Sequence, residues 1–172
     1  VVGSGATLSG TGIITAATLA HSGAGTVNLT GLNRICTLGT SGALGAFTLN
    51  NAQSINLGTI NAGANAIAVT TANGANITLN SGAVLTSNAS GTAITLGAGG
   101  NVINNAGSAA LSAASGRWLV YSAAPASDTF GNLDSGNAAV WNTANGASVG
   151  ATGDRYVFAY QPTLTVTSNL WR

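Results

Sequence analysis

Short apolar pairs separated by one small or polar residue recur along this chain: Val27-x-Leu29, Phe47-x-Leu49, Ile55-x-Leu57, Ile67-x-Val69, Ile77-x-Leu79 and Ile94-x-Leu96. Alternation with a period of two is the signal of a strand with one buried face. No segment sustains the period of about 3.6 residues that an amphipathic helix needs. Val27, Phe47 and Ile67 lie twenty residues apart, Ile55 and Ile77 twenty-two, and Ile77 and Ile94 seventeen. Intervals of that size fit successive coils of a parallel β-helix better than a hairpin, and the spacing predicts about six coils.

The segments between the pairs support that reading. A meandering antiparallel sheet favours tight two-residue turns, whereas these strands are separated by clusters such as Asn61-Ala62-Gly63-Ala64-Asn65 and Thr71-Ala72-Asn73-Gly74-Ala75. Asn73-Gly74 is also compatible with a type I′ hairpin turn. In a solenoid, small residues that tolerate positive φ suit the corners, and stacked Asn side chains hydrogen-bond from coil to coil. Fourteen of the nineteen Asn precede Arg117. Each coil buries its apolar pair only against its neighbours, so the ends of such a stack need caps.

Composition narrows the function. Charged residues make up 4% of the chain, against about 25% in ordinary soluble domains. Lys, Glu and Met are absent, and the net charge is +1. Phosphate neutralisation requires clustered Lys or Arg, so nucleic acid is excluded as a partner. Disordered chains combine low hydrophobicity with high net charge, while this one is 45% hydrophobic and nearly neutral, which predicts order. The lone Cys36 excludes a disulfide framework and any multi-Cys metal site, and it reads as a small buried hydrophobe. There is no signal peptide or transmembrane run, and the opening Val1-Val2-Gly3 reads as an interior piece or a processed form of something larger.

A compositional seam falls at Gly116. Residues 1–116 carry one charged side chain, Arg34, and one aromatic, Phe47, and read as a repetitive shaft. Residues 117–172 hold all the Trp and Tyr and six of the seven charges, and read as aromatic-rich terminal coils with a cap. Trp118, Tyr121, Phe130, Trp141, Tyr156 and Tyr160 are the candidates for that cap or for a ligand surface, since each aromatic buries about 150–250 Å² and exposed ones suit contact with sugars or proteins. Strands are expected at Arg117–Ser122, Ala139–Trp141 and Arg155–Tyr160, with a long loop from Pro125 to Gly136. Pro162 confines Thr163, Leu164, Thr165, Val166 and Thr167 to an edge or an extended linker, a candidate strand donor for a neighbouring copy.

Two stretches go beyond generic solenoid chemistry: Gly116-Arg117-Trp118-Leu119-Val120-Tyr121-Ser122, and Arg155-Tyr156-Val157-Phe158-Ala159-Tyr160-Gln161-Pro162-Thr163-Leu164-Thr165-Val166. Together they resemble the segment that closes the shaft in filamentous-haemagglutinin-like exoproteins of Gram-negative bacteria. The repeats at Ile55–Gly63 and Ile77–Ala83 resemble the shaft itself. The resemblance implies an all-β, right-handed parallel β-helix from a secreted or outer-membrane-surface adhesin, exported through an outer-membrane partner. Host or surface proteins or glycans are the candidate partners, with the aromatic loops between Ala123 and Gly153 as the contact surface.

Chemistry-bearing residues are sparse. His21 is the only histidine and has no carboxylate within a hundred residues in sequence, so it reads as a surface or corner residue. Asp128 and Asp134 flank a loop six residues apart, a remote candidate for a polysaccharide-acting pair. Local turn hydrogen bonds are the better reading. Asp154-Arg155 reads as a turn followed by a strand start. A calcium-binding β-roll needs an Asp in each Gly-rich nonapeptide, and Gly97-Ala98-Gly99-Gly100-Asn101 offers only Asn. The expectation is a non-enzymatic adhesive or structural module without metal or cofactor. The principal alternative is a fibre subunit that polymerises by end-to-end stacking or strand donation.

Overall fold

The computed structural model describes residues 2–42 and 45–163, which wind as a parallel β-solenoid of about five turns. β1 (Thr7–Gly10) and β2 (Thr15–Leu19) form the first coil, and β3 (Thr26–Leu38) carries the second round a corner. The third coil holds β4 (Phe47–Asn51), β5 (Ile55–Leu57) and β6 (Ile60–Asn61), and the fourth β7 (Ile67–Thr71), β8 (Ile77–Leu79) and β9 (Leu85–Thr86). The fifth holds β10 (Gly91–Gly97), β11 (Val102–Asn104) and β12 (Leu111–Ser112). β13 (Gly116–Ser122), a short 3-10 turn at Pro125–Ser127 and β14 (Arg155–Phe158) complete the described chain.

Every pairing between these strands is parallel. One face stacks β1, the start of β3, β4, β7, β10, β13 and β14; a second stacks β2, the end of β3, β5, β8 and β11. Because β3 bends through the corner, these two faces are joined as one 11-stranded sheet, and β6, β9 and β12 make a separate third face. β13 pairs with β10 in the same ladder, so the first face runs through Gly116 without a break.

Register explains the spacing in the sequence. Val27 lies beside Phe47 and Phe47 beside Ile67, so these coils are twenty residues long. Ile55 lies beside Ile77, twenty-two residues on. The seventeen-residue interval from Ile77 to Ile94 is not a coil: Ile94 pairs with Ile67 on the first face, and Ile77 with Val102 on the second. Coils lengthen toward the carboxyl end, which is why the turns number about five instead of six. Asn73-Gly74 is a corner, not a hairpin, with Gly74 at φ +78° in the left-handed region.

The alternation places both side chains of each pair inside and turns the residue between them outward. Ile35, Leu38, Leu49, Leu57, Ile60, Val69, Ile77, Leu79, Leu85, Ile94 and Leu96 are all fully buried in one continuous column. Corners are held by buried polar side chains. Asn33, Asn51 and Thr71 stand in register on successive coils. Asn51 accepts the Ile35 N–H at 2.9 Å and donates to the carbonyls of Ile35 at 2.9 Å and Gln53 at 2.8 Å. Asn33 accepts from the Ile14 N–H at 2.9 Å, and Thr71 donates to the Ala75 carbonyl at 2.7 Å. Buried polar groups require such partners, and the corner geometry supplies them. Gly99 meets a different demand: a Cβ there would come within 2.1 Å of the Ala72 carbonyl oxygen, so a side chain would push the coils apart.

One residue differs from its sequence reading. Cys36 is exposed, because the alternation that points Ile35 inward turns Cys36 outward, where its Sγ accepts from Gln53 Nε2 at 3.2 Å. His21 lies at the corner after β2, one of the two placements its reading allowed, where it is buried and its backbone N–H donates to Ser41 Oγ at 3.3 Å. No described helix is long and apolar enough to cross a membrane.

Candidate functional surface at the aromatic end

Alternation along β13 sorts the terminal aromatics onto two sides. Trp118 and Val120 point into the solenoid and join its core, while Leu119 and Tyr121 point outward. β14 repeats the pattern, with Tyr156 packed against the core and Val157 on the outer side. Tyr156 lies beside Val120 in the ladder and packs on the end of the column that Trp118 and Val120 enter.

Inside, the rings form a connected cluster. Trp118 and Tyr156 meet edge to face with centroids 5.2 Å apart, and Phe130 meets Tyr156 in the same manner at 4.9 Å. Phe158 continues the cluster, stacked on Trp141 at 4.8 Å. Such pairs favour these offset and edge-to-face geometries because the ring quadrupoles repel face to face. The Tyr156 hydroxyl donates to the Leu133 carbonyl at 2.8 Å; burial, reinforced by the charges of Asp128 and Asp134, raises its pKa.

Outside, residues 141–153 fold back as a flap over Leu119, Tyr121 and Val157, with Val149 packed into the same small cluster. Three side chains hold it. The Tyr121 hydroxyl donates to the Ala147 carbonyl at 2.7 Å, and burial raises the pKa of that phenol. Arg117 donates to the Val149 carbonyl at 2.9 Å, to the Ala151 carbonyl, and through Nε to Thr92 Oγ1 at 3.1 Å. Asn145 Nδ2 donates to the Gly97 carbonyl at 2.9 Å. Gly97 leaves room for that approach, since a Cβ on it would lie 2.3 Å from Asn145 Oδ1.

Six aromatic candidates therefore separate into three environments. Trp118 and Tyr156 belong to the core with Trp141 and the 36% exposed Phe130 as the outer members of their ring cluster, Tyr121 lies beneath the flap, and Tyr160 is 69% exposed. Of the candidate strand donor, Thr163 is exposed and outside any strand, and Leu164, Thr165, Val166 and Thr167 lie outside the described residues. The expected strand at Ala139–Trp141 is a single bridge, Val140 to Val157.

The carboxylates serve the ladder. Asp128 accepts from the Val102 N–H at 3.0 Å and from Ser122 Oγ at 2.6 Å, and partial burial raises its pKa against the lowering effect of those bonds. Asp134 accepts from the Gly136 N–H at 2.8 Å within its own turn. Asp154 accepts from the Trp118 N–H at 2.7 Å, and Arg155 opens β14 and donates to the Ala138 carbonyl at 2.7 Å. Sequence reasoning assigned no role to Arg117 or Asn145, the two flap clips; the turn-forming Asn145-Gly146 pair was the available signal for the second.

Fold and surface together define a parallel β-solenoid whose last turns carry an aromatic cluster within and a polar flap without. No known protein family, curated protein or solved structure matches the chain.

Proposed function

We propose that this chain is a non-enzymatic shaft module of a secreted or outer-membrane-surface adhesin of the filamentous-haemagglutinin-like kind, in which the aromatic cluster caps the hydrophobic column. The observation that carries this reading is the continuity of the core, which runs through successive coils and ends in Trp118, Tyr156 and the rings around them. An uninterrupted column of that kind is a spacer by construction, since each coil is held only by its neighbours and length is added one coil at a time. Asp128, Asp134, Asp154, Arg117 and Arg155 are each engaged in bonds that hold loops and coils together, which supports a mechanical role.

The test separates cap from contact surface. Trp141→Ala is expected to lower the thermal midpoint while the folded fraction adheres to cultured epithelial cells as well as the unaltered chain. Lost adherence at an unchanged midpoint would make Trp141 a binding residue, and no adherence by the unaltered chain would remove the adhesive half of the proposal. A second reading, self-association through the first coil, is favoured by exposed Leu8 and Ile13 beside β1.

A further inference from the structure

A groove of about 260 Å³ runs up the corner beside the flap, lined by residues of four successive levels of the first face. Thr71 and Asn73 come from the coil of β7, Ala98 and Gly99 from that of β10, Ser122 and Ala123 from the end of β13, and Ala159 and Tyr160 from the exit of β14. The flap supplies the opposite wall with Ala144 and Asn145. With a strand spacing of about 4.8 Å, four levels make a slot about 14 Å long, which suits an extended ligand lying across the strands.

We infer that this groove binds a neutral, hydroxyl-rich oligosaccharide. Its backbone floor is already satisfied: the Ala98, Ala159 and Tyr160 N–H groups donate to the carbonyls of Tyr121, Ser122 and Ala123 at 3.0, 3.1 and 3.1 Å. A peptide strand would therefore find no ladder to extend there. Recognition is left to side chains, chiefly the Asn73 amide and the Tyr160 ring, since the Thr71 and Ser122 hydroxyls are donated to the Ala75 carbonyl and to Asp128. Asn145 is fixed as the wall by its bond to the Gly97 carbonyl, with Oδ1 packed on Gly97, and the exposed Asn73 amide offers both donor and acceptor. Tyr160, 69% exposed at the groove's end, presents an apolar face with a polar tip. A sugar ring has the matching character, with hydroxyls at its rim for the amides and C–H faces for the ring. None of the ten lining residues is charged, so the groove offers an anionic or cationic ligand no counter-charge.

The role rests on the adhesive reading above, while the binding itself is tested apart from it. The intact chain is applied to a printed array of neutral and sulfated oligosaccharides, with cell adherence measured in parallel. Retention of neutral members, insensitive to added salt, is expected, with Tyr160→Ala and Asn73→Ala each weakening it about tenfold or more and Tyr160→Phe largely preserving it. Leu32→Ala, on the exposed side of β3, serves as the unaffected control. Retention of nothing, a preference for sulfated members that fades with salt, or wild-type binding by Tyr160→Ala at an unchanged thermal midpoint would each overturn the site. Cell adherence that survives Tyr160→Ala together with lost sugar retention confirms the groove and locates adhesion elsewhere. Sugar retention with no adherence leaves the groove standing and removes the adhesive reading.

Discussion

Asp128 joins two coils through one carboxylate, Oδ1 to the Val102 N–H and Oδ2 to Ser122 Oγ, and it does so partly out of water. Burial penalises the charged form more than the two bonds favour it, so its folded pKa stands above the ordinary value of 3.8. A raised folded pKa means that the folded state holds the proton more tightly than the unfolded chain does. This contribution to stability is fully present below the unfolded pKa and is lost as pH rises through the folded one. Asp128→Asn keeps an acceptor for Val102 and places a donor toward Ser122 without a charge. Thermal melts at a series of pH values are expected to show the variant at least as stable as the unaltered chain at neutral pH, with this titration absent; a variant that melts far lower at neutral pH would mean that the charge itself holds the coils. Other single residues were legible to differing degrees. Stacked Asn corners were foreseen from their number, and Asn33 and Asn51 provide them. Cys36 was misplaced because residue type outweighed its position, one step from Ile35 in an alternating strand.

At the scale of elements, the flap is the segment least visible in the sequence. Asn142-Thr143-Ala144-Asn145-Gly146-Ala147-Ser148 has the composition of every other corner, yet it turns back onto the outer face. Its anchoring bonds, made by Tyr121, Arg117 and Asn145, span 26, 32 and 48 residues of sequence, so no local pattern announces them. Arg117 contributes the largest share of these bonds, and its partners are backbone carbonyls that regain water when it is removed. Arg117→Ala is therefore expected to release the flap and uncover Leu119 and Tyr121 while the inner column stays wound. Limited proteolysis should show new cleavage confined to residues 141–153, with a loss of about 1–3 kcal/mol in stability, since charge-assisted bonds are worth about 1.5–3 kcal/mol each but those in contact with solvent less. Cleavage spread along the shaft would show that the flap and the solenoid unfold as one unit. Strands were easier to read. Pairs such as Phe47-x-Leu49 carry their own period, and β13 and β14 fell where their aromatic alternation placed them. The Ile77-to-Ile94 interval misled because a solenoid of changing coil length brings pairs from different faces into similar spacing.

At the scale of the whole fold, the first face differs at its two extremes among the described residues. At the carboxyl end of the first face β14 is covered on both sides: Val140 N–H donates to the Tyr156 carbonyl at 2.9 Å, Val140 accepts from the Phe158 N–H at 2.8 Å, and Thr143 N–H donates to the Phe158 carbonyl at 3.0 Å. A one-residue bridge of this kind leaves too short an edge to template another strand. At the opposite end β1 pairs only with β3 among the described strands, and Leu8 and Ile13 are 40% and 63% exposed. The first 116 residues contain a single formal charge, Arg34, so the charged side chains that commonly guard an edge are missing there. Among the described residues only the first coil presents an open edge, and a contact between two such edges is isologous and closes at two copies. The expectation for this 172-residue chain is a concentration-dependent monomer–dimer equilibrium in sedimentation velocity, with no larger species. Leu8→Lys places a charge on the open edge at an exposed position; it should abolish the dimer and leave the unfolding free energy within about 0.5 kcal/mol of that of the unaltered chain. Filaments that lengthen with concentration, seen by negative-stain microscopy, would instead require the carboxyl end to open, and Val140 would then be the residue to follow.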